Sequence, residues 1–166
     1  MIDQAHMDLV MRLDTTKSGE QEVAWDQIKA SGMDIPHLFR KAYPLFKKWQ
    51  GRRDLLFHCI RHARTSEDAF QLALAAINDR ATLVRYRAAC VLAYSLRREA
   101  IPFLQEASKR HDEETGKDCE RAILAIRNQD HHLFMADRAD SWIVNAEEDR
   151  APRKKNIIDT LKGLFQ

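Results

Sequence analysis

His58 and His62 stand four residues apart in a helical stretch, a spacing that places two imidazoles on one helix face. Such a pair can share a metal ion, but the metalloprotease version needs a glutamate directly after the first histidine, and Cys59 occupies that position. Two ligands without an evident third make a poor site. His131 and His132 are adjacent and point apart in either a helix or a strand. The sequence contains no Gly-x-Ser-x-Gly elbow, no glycine-rich phosphate loop and no local Cys–His–Asn pattern. The acid run Asp112-Glu113-Glu114 falls in an expected loop, where it is solvated. We therefore expect no metal, no cofactor and no catalytic residue, although carboxylates converging from distant helices would leave no local trace.

The elements that must position any site are helical. The 166 residues contain only five glycines and four prolines, with 45% hydrophobic and 31% charged side chains. This composition suits one soluble all-α domain with a real core. No apolar run approaches the ~20 residues that span a bilayer, and "MIDQAHMDLVMRLD" lacks the basic start and apolar stretch of a secretory signal. A cytoplasmic location is expected. Cys59, Cys90 and Cys119 are an odd set with no Cys-x-x-Cys pair, so they read as reduced apolar residues.

The net charge is +2, but its distribution is uneven. Residues 1–34 hold three basic against seven acidic side chains, residues 35–64 eight against one, and residues 111–149 four against eleven. Segregation of this kind can steer a charged partner.

Ser18 with Gln21 resembles a capping box, Gly32 closes the helix that follows, Pro36 suits a first turn and Pro44 predicts a break. Helices are then expected over 52–63, 66–78, 82–96, 99–110 and 116–128, joined by short polar links. "RRDLLFHCIRH", "VRYRAACVLAYS" and "KDCERAILAIRN" superpose at a spacing of 32 to 34 residues, and "SEDAFQLALAAI" matches "REAIPFLQEASK". Helix pairs at such a period are the signature of an α-solenoid, in which neighbouring repeats share burial. Val84, Ala88, Ala89 and Leu92 face the seam between repeats.

Asp79, Val84-Arg85, Ala88-Ala89 and Leu92, followed by "EAIPFL", resemble a short HEAT repeat of the kind also seen in bilin-lyase-type proteins. The resemblance implies a right-handed α–α superhelix held by an aspartate–arginine ladder. Here the ladder is expected to have one good rung, Asp79 with Arg85, because Phe46 and Lys47 replace the first aspartate and Cys119 falls near the third arginine.

Residues 25 to 145 are also similar to small stand-alone bacterial HEAT-repeat proteins, whose last segment implies a β-hairpin near 132–145. Some of these resemble immunity proteins that bind and silence a cognate toxin. The expected organisation is one domain over 1–149: N-terminal helices to residue 50, repeats over 52–128 and a hairpin over 131–145. A basic linker and an amphipathic terminal helix follow over 150–166, with Ile157, Ile158, Leu161, Leu164 and Phe165 on one stripe.

If Val84, Ala88 and Leu92 face inward, Tyr86, Cys90, Tyr94 and Arg97 lie opposite. A shift of 32 sets Asp54, His58 and His62 beside them. Asp54, His58, His62, Tyr86, Tyr94 and Arg97 are thus the expected partner-binding residues, unless the N-terminal helices or the hairpin cover them. The expected function is binding of a cognate toxin or effector protein, with neither membrane nor nucleic acid as partner. The alternatives are a HEAT-like DNA glycosylase using Trp49 and Asp54 or another nucleic-acid-binding protein, and a generic adaptor or scaffold.

Overall fold

Side-chain caps start three of the eight α-helices in the computed structural model, which describes residues 4–135. The order is α1 (Gln4–Met11), α2 (Ser18–Ala30), α3 (Ile35–Ala42), α4 (Trp49–Cys59), α5 (Glu67–Ala76), α6 (Thr82–Ser95), α7 (Ile101–Arg110) and α8 (Glu113–Asn128). Asp34 caps α3 by accepting from the His37 amide at 3.3 Å, with Pro36 in the first turn. Ser66 caps α5 through the Ala69 amide, and Asp112 caps α8 through the Thr115 amide. The capping box is corrected: Lys17 is the cap residue of α2 and no side chain caps it. Gln21 is instead buried, donating to the Thr15 carbonyl at 3.0 Å and the Leu13 carbonyl at 3.3 Å. Pro44 breaks the chain as expected, into a 3₁₀ turn over Tyr43–Leu45.

The fold is all-α, with no strand among the described residues. Across short links α5 pairs with α6 and α7 with α8, while α3 packs on α5, α4 on α6 and α6 on α8. Val84, Ala88, Ala89 and Leu92 are all essentially inaccessible, and the small alanines allow this close helix approach. Gly51 has a comparable role on α4: a Cβ there would lie 2.8 Å from both the Leu13 carbonyl and the Phe46 ring.

The ladder differs from the expected single rung. The Arg52 guanidinium grips the carboxylate of Asp79 with two bonds, Nε at 2.6 Å and Nη2 at 3.0 Å, and the Tyr43 hydroxyl donates to the same carboxylate at 2.6 Å. Arg85 reaches past Asp79, taking only its backbone carbonyl at 2.7 Å, to bind the carboxylate of Asp112 and the Thr115 hydroxyl. Each arginine thus pairs with an aspartate 27 residues onward. Arg52 with Arg85, and Asp79 with Asp112, are 33 positions apart.

The missing first aspartate is supplied from elsewhere. Asp79 accepts from the Ala81 amide before α6, and at the same register Asp14, from the α1–α2 loop, accepts from the Lys48 amide at 2.7 Å and from Lys47 at 2.9 Å. In the third pair the arginine position holds the buried Asp118, bonded to Arg121.

Helices α6 and α8 both end on a left-handed residue, Leu96 and Gln129, each with φ of 54°. After Gln129 the chain forms a 3₁₀ turn over His131–Phe134, where the expectation was the start of a β-hairpin. The Asp130 carboxylate accepts from the His132 amide and fixes that turn. The rest of the expected hairpin and the terminal helix over 150–166 lie outside the described residues. No helix among the described residues is long and apolar enough to cross a membrane.

Candidate partner-binding face

The 3₁₀ turn after α8 folds back over α6, so the expected open face of α6 is corrected to a buried one. Phe134 stacks on Tyr86 with ring centroids 5.8 Å apart, the Tyr86 hydroxyl donates to the Met135 sulfur, and His131 lies 4.5 Å from Tyr94. Tyr86 and Tyr94 are 9% and 5% exposed and Cys90 is fully covered, which removes all three from any open surface. Arg97 lies elsewhere: its guanidinium sits 3.7 Å over the Phe70 ring and pairs with Glu67 and Glu99. His62 lines a separate cleft of about 440 Å³ with Met33, Asp34 and Asp68. Of the six expected residues, the structure keeps only Asp54 and His58 near one surface.

That surface runs along α4. Trp49, Arg53, Phe57 and Arg61 recur every fourth residue, and all are exposed or half-buried. Each cation leans on a ring. Arg53 lies 5.7 Å from the centroid of Trp49. Arg87 projects from α6 over Phe57 at 5.0 Å and over Tyr86 at 5.2 Å. Arg61 and Lys29 approach Trp25 at 5.5 and 5.8 Å. On the same ring His58 stacks at 3.5 Å with its plane tilted by only 12°. Cation–π contacts of this kind contribute about 0.5–1 kcal/mol each where exposed and fix the guanidinium in place.

Asp54 is the acid of this strip. Its carboxylate is held by Arg53 at 2.6 Å. Burial raises its pKa, while Arg53 and then Arg87 pull it back. His58 is driven the other way. Burial first, and the charges of Arg61 and Lys29 second, push its pKa down to about 3, so it is a neutral packing ring at physiological pH. Its Nδ1 is buried with no hydrogen-bond partner.

The expectation that His131 and His132 point apart is corrected, since their ring centroids lie 4.1 Å from one another. His58 stacks on Trp25, whereas His62 lines the other cleft. Among the described residues, Asp130, His131 and His132 are close enough to share a cation. Arg64, however, donates to Nδ1 of His131 at 3.0 Å, which puts that ring's proton on Nε2 and a fixed positive charge beside the trio. We read these residues as the cover of Tyr94.

The α4 strip was only half visible in the sequence. Trp49, Asp54 and His58 carried a signal, but Arg53, Arg61 and Arg87 did not, and the shift of 32 set the wrong residues side by side. At the ladder's own spacing of 33, Asp54 aligns with Arg87. Comparison with known proteins finds no matching family model and no significant match among curated proteins or solved structures.

Proposed function

We propose that the chain is a HEAT-like α-solenoid that binds another protein through the α4 strip, and that it serves as an immunity protein, occluding the active site of a cognate toxin or effector. The 33-residue register of the two arginine–aspartate rungs supports the solenoid reading. The function rests on one observation: tryptophan and arginine side chains are displayed together, with the guanidiniums held on rings. Tryptophan and arginine dominate interface hot spots, and pre-ordering reduces the entropy lost on binding.

Co-expression with a candidate toxin should restore growth and yield a stoichiometric complex. The pair of changes Trp49→Ala and Arg87→Ala should weaken that complex by roughly a hundredfold or more, the scale of a hot spot. A toxin that stays free and active would sink the immunity reading. The co-location of Trp49 and Asp54 favours one other function, a glycosylase; it predicts base release from alkylated duplex DNA that disappears in Asp54→Asn. An adaptor would bind a partner with no growth phenotype.

A further inference from the structure

Arg40, Arg52, Arg53, Arg85 and Arg97 each reach a carboxylate within the described fold. Arg87 and Arg61 do not. Arg87 is half-buried over Phe57 and Tyr86, Arg61 is exposed beside Trp25, and neither makes a hydrogen bond to a described residue. Each guanidinium centre lies 5.0–5.5 Å from a ring centroid, and a guanidinium whose N–H donors are not spent within the fold is suited to a bidentate carboxylate. Phe57 and His58 join the two sites, with ring centroids 5.2 Å apart, so the floor between the two cations is apolar and aromatic.

We infer that this face receives an acidic protein surface, one carboxylate on Arg87 and another on Arg61, with an apolar side chain over Phe57 between them. The inference rests on the reading of the α4 strip as a protein-binding surface and gives that partner its chemistry. Carboxylates are favoured over a phosphate backbone for two reasons. Arg53, the third arginine of the strip, is already neutralised by Asp54. Asp54 also lies close enough to Arg87 to interact with its charge, so the strip offers separated cations with an acid beside them and not the continuous positive track that a phosphate backbone follows.

The test uses the full chain with labelled probes: a Glu- and Leu-rich peptide, and duplex and single-stranded DNA of matched charge. Fluorescence polarisation gives affinity, and NMR follows the arginine Nε–H signals. The peptide should bind in preference to both DNAs and shift the Arg61 and Arg87 signals. Arg61→Gln and Arg87→Gln should each weaken it about tenfold, the value of one charge-assisted pair. Arg98→Gln, at an exposed arginine outside the strip, should leave it unchanged, with circular dichroism verifying that every variant is folded. Binding that ignores Arg61 and Arg87, tighter binding of DNA, or no binding of any probe would overturn the inference. A toxin still neutralised by the Arg61→Gln/Arg87→Gln protein would leave the proposed function standing and remove this inference alone. Peptide binding without any toxin rescue would do the reverse.

Discussion

The imidazole of His58 lies flat on Trp25 with one ring nitrogen buried and unbonded, so proton uptake there opposes folding. Its pKa of about 3 in the fold lies below the ordinary value of 6.5. The stabilisation is therefore complete above pH 6.5 and is lost as pH falls from there toward 3. Between pH 7 and 5 this one group should cost the protein about 2 kcal/mol. Urea denaturation at pH 7, 6 and 5 should show that slope in the native protein, and His58→Phe, which keeps the stack, should flatten it. Equal slopes in both proteins would place the pH dependence elsewhere. Nothing in the spacing of His58 and His62 announced this packing role, because Trp25, the partner ring, is 33 residues upstream on α2. Local periodicity says which way a side chain points from its own helix; it is silent on what other helix arrives there.

Helix breakers were legible because they act locally: Gly32 and Pro44 interrupt the chain where their chemistry says they should, whereas the caps Asp34 and Ser66 went unread and the Ser18–Gln21 box was misread. The rungs between helices were not legible, since the arginine and aspartate of one rung stand 27 residues apart, beyond any local pattern. Asp79 shows what a rung holds. Burial alone would raise its pKa, but the bonds from Arg52 and Tyr43 more than offset that and leave it lowered. Arg52→Met should strand this carboxylate and cost about 3–5 kcal/mol. Adding Asp79→Asn should recover part of the loss, because an amide carries no charge and its oxygen still accepts from the Ala81 amide. Chemical denaturation of the two single variants and the double variant checks both steps, and a cost below about 1 kcal/mol for Arg52→Met would refute the rung's importance.

At the level of the whole molecule, α6 is surrounded by α4, α5, α8 and the 3₁₀ turn that follows α8. Eleven of its fourteen residues are buried, which explains why its sequence shows no clear polar face and why an open side was read into Tyr86 and Tyr94. Hydrogen exchange should find the α6 amides the slowest, opening only with global unfolding, while α1 and α2 exchange through smaller openings. Faster exchange in α6 than in α2 would contradict this arrangement. The forward-reaching rungs also set a grammar for enlarging the protein. The stretch from Asp79 to His111 carries an acceptor for the arginine before it and an arginine for the aspartate after it. An in-frame tandem copy of that stretch, placed before Asp112, would inherit a complete set of rungs. The same copy attached after α8 would meet Asp118 where a guanidinium is required. The rung pattern is thus open to duplication between Asp79 and Asp112 and stops at Asp118, a polarity written by one change of charge.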